Sequence, residues 1–385
     1  MGDRPGQRDN GLRPVAGALG AVTRGPAPTT LRAVDHRIWD PRLAANVDGV
    51  SVSAKRVVVG LAGLALLMSI QPVQAVEELQ GGRIPAIEEV GEREDGTGNF
   101  RTLCLESHIN YDDPLVYPGQ PRATHQHVFF GNPSTDAYST IDSLMEVAET
   151  TCDGEGLNRS AYWVPAIYDA NGERMKYEDV LFYYKSGYHI PADEIQAPPE
   201  GLRMIAGNAK SKRAQDVEVV KYRCEEWVAK GPQFDPGDPL DHVPYIPDCE
   251  VDDALEVRIV FPQCWDGVNL DSPDHQSHMA YPIPAKAPDI GTGRCPDSHP
   301  VPIPEISYNF AFYVSEEAGP SSKWRLSSDM YRGGPGGYST HGDWMNGWDP
   351  EIMDLIVENC INKELECLVG NLGDGTRLSP ILDVS

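Results

Sequence analysis

Apolar positions along the chain fall in short runs of β type, with little helical periodicity. The segments "AYWVPAIYDA" (161–170), "DVLFYYKS" (179–186), "VEVVKYRC" (217–224), "ALEVRIVFPQC" (254–264) and "ISYNFAFYVS" (306–315) are rich in Val, Ile, Tyr and Phe. Gly, Pro, Asn or Asp bounds each, the punctuation expected around strands. Asn171-Gly172 marks a hairpin turn, because both residues tolerate the positive φ such turns need. One segment carries helix signals: "DPEIMDLIVENCIN" (349–362) opens with Asp349 as cap and Pro350 at the first helical position. Its Ile352, Leu355, Ile356 and Asn359 share a face. The pattern predicts a mainly β fold, a β-sandwich or jelly-roll-like body with long disulfide-stapled loops and a C-terminal helix. No Gly/Ser-rich or Pro-rich linker divides it, so residues 105–370 read as one domain, after an extended acidic lead-in (76–104) and before a tail (371–385). "CDGEGLNRSAYWVPA" (152–166) echoes "CWDGVNLDSPDHQSHMAYP" (264–282). Duplication of a β unit and shared turn chemistry both account for the echo.

The N-terminal 75 residues read differently. An apolar run of 14, "VVVGLAGLALLMSI" (57–70), follows Lys55-Arg56 and precedes the small-residue site "VQA". This is the layout of a secretory signal peptide over 55–75. The run is short for a membrane span, which takes about 20 apolar residues, and an uncleaved membrane anchor is the alternative. Residues 1–54 are rich in Arg, Pro, Gly and Ala without periodicity. They read as a disordered extension ahead of a true start near Val50 or Val52.

Charge narrows the possible partners. The formal net charge is −26, and residues 1–75 hold nine Lys/Arg against five Asp/Glu, so the remainder carries −30. Nucleic-acid binding rests on basic patches that neutralise phosphates, and docking on anionic lipid needs the same sign. The charge opposes both classes and suits an exported soluble protein, where it serves solubility alone or the handling of cations or neutral sugars. All eight cysteines follow the signal. An even count in an exported chain predicts disulfides, and of the 105 pairings only Cys360 with Cys367 suggests a local loop. No C-x-x-C pair is present to indicate structural zinc or redox chemistry.

The chemistry-bearing residues concentrate in loops. Eight of the ten histidines lie beside Gly, Pro, Asp or Ser: His108, His125, His127, His242, His275, His278, His299 and His341. Neutral imidazole binds metal through one nitrogen while the other is held by a carboxylate or carbonyl, which such neighbours supply. In "THQHVFFGN" (124–132), alternate positions of a strand would turn His125 and His127 to one face. A second cluster, Asp266, Asp271, Asp274, His275 and His278, has no metalloprotease spacing, and turn capping accounts for it equally well. In "GGPGGYSTHGDW" (333–344), five glycines in twelve residues make a pliable loop ending at His341 and Asp343, with no following Gly-Lys-Ser/Thr to bind phosphate. A lid with Asp343 orienting His341 fits this stretch. No G-x-S-x-G follows the signal, and the Asp112-Asp113 pair lacks EF-hand spacing.

Taken in order, "SHINYDDP", "HQHVFFGN", "SAYWVPA", "GLRMIAGN", "FPQCWDGVNLDSPDHQSHMAYP", "CPDSHPVPIPEI" and "YSTHGDWMNGW" resemble the family called domain of unknown function 1996, over about residues 105–350. The resemblance implies a secreted β-rich domain, joined in some fungal relatives to modules regarded as carbohydrate-binding. It implies no established reaction.

Two readings follow. In the first, the protein is an exported enzyme acting on polysaccharide or cell-wall material. His125 and His127 bind a divalent metal, zinc or copper, with His278 or His341 as third ligand. His341 and Asp343 are then the catalytic pair, Asp343 acting behind a ligand or as base. In the second, it is a non-catalytic extracellular module that binds glycan or another surface component, its histidines satisfying loop hydrogen bonds.

Overall fold

The structure is a computed structural model and describes residues 81–93, 95–177, 180–225, 242–286 and 289–381. The signal-like run and the N-terminal extension lie outside the described residues. Two antiparallel-rich sheets dominate. The larger runs in the order Val220–Glu225, Ala254–Val260, Glu305–Tyr313, Val180–Lys185, Asn99–Cys104, Leu365–Val369, Gly91–Glu92. Leu365–Val369 joins Asn99–Cys104 in parallel, while the other neighbours are antiparallel. The smaller sheet runs Glu106–Asn110, His127–Gly131, Ala161–Pro165, His341–Met345, Arg203–Gly207, antiparallel throughout.

Alternation of side chains explains how the sheets meet. Val128, Phe130, Tyr162, Val164, Met204, Ala206 and Trp344 of the small sheet share one core with Phe100, Phe182, Tyr184, Val257, Ile259, Tyr308 and Phe310 of the large one. Buried polar groups in this core find partners across it. The Tyr162 and Tyr184 hydroxyls lie 2.9 Å apart, and the Trp348 indole donates to Tyr184 at 2.8 Å. Tyr308 donates to the backbone carbonyl of Asp343 at 2.6 Å. That last bond pins a small-sheet strand to the large sheet at the residue the sequence singles out.

The opposite face of the small sheet is also covered. Leu115, Phe129, Leu144, Ala161, Trp163 and Met345 form a satellite cluster under the loops that follow Asn110 and Gly131. The short helix Ile141–Met145 supplies Leu144 and is closed by a Thr140/Ser143 capping box. His127–Gly131, Ala161–Pro165 and His341–Met345 are consequently buried at every position.

All eight cysteines pair: Cys104–Cys152, Cys224–Cys249, Cys264–Cys295 and Cys360–Cys367. The expected local loop at Cys360 and Cys367 is one of them. The expected C-terminal helix spans Pro350–Ile356 and widens into a π-helical turn over Val357–Ile361. Its buried residues are Ile352, Met353, Ile356, Val357, Cys360 and Ile361, a face rotated from the expected one, with Leu355 only half-buried. Asp349 accepts from the amides of Glu351 at 3.0 Å and Ile352 at 3.4 Å. Asp349→Ala is expected to cost about 1 kcal/mol of stability, measured by urea unfolding.

Two expectations meet a different structure. The end of the lead-in is a strand of the large sheet, because Phe100, Thr102 and Cys104 alternate into its core. The echoing segments take different forms: Ala161–Pro165 is an inner strand of the small sheet, whereas Cys264–Trp265 belongs to a separate three-stranded sheet with Met279–Ala280 and Val301–Pro302.

Candidate metal centre

Register places the histidines. His127 opens its strand opposite Pro165, the last residue of the next strand. Beyond that strand lies His341–Met345, whose Asp343 faces Trp163, so His341 stands level with Pro165. His127 and His341 therefore flank Pro165 from two strands that run in parallel, roughly 9–10 Å apart at the backbone. The two imidazoles approach each other across Pro165, with ring centroids 5.6 Å apart. Gly207, opposite His341, has φ +79°, and a Cβ there would meet the Thr340 carbonyl oxygen at 2.4 Å. Glycine is what lets the edge strand turn away beside the site.

His125 completes the group from a bend. It lies before the strand, so the expected alternation does not bring the pair together. The bend does so instead, and the His125 and His127 rings lie 4.2 Å apart between centroids. Three Nε2 atoms converge: His125 to His341 at 3.2 Å and His127 to His341 at 3.3 Å. A ligand atom from each of the three lies within 4.8 Å of the others.

The other ring nitrogens fix the tautomers of His127 and His341. His127 Nδ1–H donates to the Asp112 carbonyl at 3.0 Å, and His341 Nδ1–H to the Ser339 carbonyl at 2.8 Å. Each then presents a bare lone pair at Nε2. His125 Nδ1 pairs with the Thr124 hydroxyl at 3.1 Å. Burial depresses all three basicities: His125 is pushed down to about 3 and His341 to about 4, while His127 lies well below the ordinary value, its neighbours adding to the effect of burial. The rings are therefore neutral at physiological pH, the form that ligates metal.

Lone pairs facing each other at this distance repel unless a proton or cation lies between them. A tetrahedral zinc with Zn–N bonds of about 2.05 Å separates its nitrogens by about 3.3 Å, close to the observed spacing. Right-angled ligands at similar bond lengths would stand about 2.9 Å apart.

Asp343 adds a second unbalanced group. It is 1% exposed, and its Oδ2 has no hydrogen-bond partner and lies 3.8 Å from His341 Nε2. Burial, reinforced by nearby Asp113, drives its carboxyl well above the ordinary range. A cation held at the focus of the imidazoles would favour the ionised form of this carboxyl.

Four further histidines are committed elsewhere. His278 spends Nδ1 on the Ser272 hydroxyl at 2.9 Å and Nε2 on the Arg203 carbonyl at 2.6 Å, so the structure brings His341, not His278, to the pair. His108 stacks on Phe129 with centroids 4.7 Å apart and bonds Ser107 and Thr135. His275 pairs with Asp271, and His299 with Ser298 and the Ser277 carbonyl. Asp112 gives its carboxylate oxygens to the amides of Arg122 and Ala137 and to Asn110, which leaves little for calcium. The backing carbonyls of Asp112 and Ser339 carry no residue-type signal and are not legible in sequence.

A family model described as Domain of unknown function (DUF1996) matches residues 113–348, a span that contains all three converging histidines and Asp343. No curated protein and no solved structure matches the chain. The four disulfides fit an oxidising, extracellular setting, and no helix among the described residues is long and apolar enough to cross a membrane.

Proposed function

The chain belongs to the DUF1996 family, and from that premise we propose that it is an exported zinc-dependent hydrolase whose centre is His125, His127 and His341. The observation that carries the reading is the convergence of the His125 and His127 Nε2 atoms on His341 Nε2, at 3.2 and 3.3 Å, with the His127 and His341 lone pairs turned toward each other by their carbonyl partners. Three protein ligands leave one position for water or substrate, the arrangement of catalytic rather than structural zinc. Zinc there supplies a nucleophilic water at neutral pH and polarises a substrate oxygen. The two spacings about His341 lie near the tetrahedral value, which suits zinc. Asp343, whose unpartnered Oδ2 lies 3.8 Å from His341 Nε2, would accept a hydrogen bond from a water on the metal and orient it.

Extracellular polysaccharide or cell-wall glycan is the substrate class this reading takes. Tyr138 supports it: 64% exposed, it stands on the loops that cover the outer face of the small sheet, and its ring offers a stacking face for sugars. Metal analysis of the purified mature protein tests the centre. One equivalent of zinc is expected in the wild type and none in His125→Ala/His127→Ala. A wild type free of metal after zinc loading and desalting refutes the proposal.

A further inference from the structure

The Ser339 carbonyl that holds His341 is itself held from both sides, by residues distant in sequence. Asp329 accepts from the Ser339 hydroxyl at 2.6 Å and its amide at 3.4 Å, and its other oxygen accepts from the amides of Leu326 and Gly337, both at 2.9 Å. Ser339 is fully buried, and its hydroxyl also meets that of Ser328 at 2.7 Å. From the other side, Gln215 donates to the carbonyls of Tyr338 at 2.9 Å and Thr340 at 2.7 Å. The Tyr222 hydroxyl closes on that of Thr340 at 2.6 Å. Gln215 thus engages the carbonyls on either side of Ser339, and the middle one takes the imidazole at 2.8 Å with a longer bond from the Ser328 hydroxyl at 3.3 Å.

This arrangement does more than order a glycine-rich loop. A carbonyl aimed along the ring plane fixes which nitrogen carries the proton and where the other points. Among the described residues, Asp329 makes no ion pair, so its charge is given over to the loop carrying Ser339.

We infer that Asp329 and Gln215 are positioning residues for the metal centre: a two-sided clasp that aims the Ser339 carbonyl and, through it, His341 Nε2. The inference rests on the zinc reading above.

Zinc affinity measured by competition with a chromogenic chelator tests it, on protein shown by circular dichroism to be folded at the assay temperature. Asp329→Asn and Gln215→Leu are each expected to weaken zinc binding about 10- to 100-fold, the range for groups behind a ligand. The visible spectrum of the cobalt-substituted variants is expected to change with it. Asp349→Ala, which weakens a helix cap away from the site, is expected to keep wild-type affinity, separating aim from general stability. Wild-type affinity and an unchanged cobalt spectrum in folded Gln215→Leu overturn the clasp, even if Asp329→Asn fails to fold. Absence of zinc binding in the wild type overturns the centre and the clasp together.

Discussion

Zinc-loaded protein is expected to melt about 6 °C above the same protein stripped by a chelator. A ligand present at a thousand times its dissociation constant stabilises the folded state by about 4.1 kcal/mol when the unfolded chain does not bind it. Melting entropy of about 2.1 cal/mol/K per residue, over roughly 300 ordered residues, gives about 0.6 kcal/mol per degree. The sign follows from the site itself. Without the ion, His127 and His341 hold lone pairs against each other and Asp343 Oδ2 is buried without a partner; with it, both strains are relieved. Differential scanning calorimetry reads the shift directly. In His125→Ala/His127→Ala the zinc-dependent part is expected to vanish. A wild type that melts at one temperature with and without zinc would show that no ion is held there.

The second large effect belongs to the disulfides. Removing Cys104–Cys152 as a double alanine variant is expected to cost about 4 kcal/mol, against about 2.4 kcal/mol for Cys360–Cys367. The difference follows from loop closure: the first pair encloses a sequence separation of 48 and the second 7, and the unfolded chain loses more freedom to the longer loop. Cys104 also ends a strand of the large sheet and is fully buried, so its loss adds a packing defect in the same direction. Urea unfolding of the two variants under identical conditions gives the ordering. Equal or reversed losses would mean that local strain, not chain entropy, governs these bonds.

Much of the sheet scaffold was legible because it obeys simple alternation. The runs expected at 179–186, 254–264 and 306–315 correspond to Val180–Lys185, Ala254–Val260 and Glu305–Tyr313. Two site-bearing strands were not legible. Arg203–Gly207 reads "RMIAG" and His341–Met345 reads "HGDWM", with few β-branched residues. They are strands because they pair with each other and with Ala161–Pro165, and tertiary pairing overrides weak local preference. The histidine pair stood out by residue type alone. The choice between His278 and His341 did not, since both read from sequence as polar-loop residues. It is decided by which ring nitrogens the surrounding backbone consumes, a property of the folded chain.

The placement of Pro165 between His127 and His341 carries a consequence for selectivity. Those two rings are anchored to strands whose separation is dictated by the hydrogen-bond ladder, so the gap between their tips is a caliper set by the backbone. On the zinc reading, a small cation with short bonds to nitrogen is expected to fit its jaws. Larger alkaline-earth ions, which need six or more oxygens at longer reach, are turned away by the nitrogen donors. The sheet sets the gap, and the three side chains set the donor type.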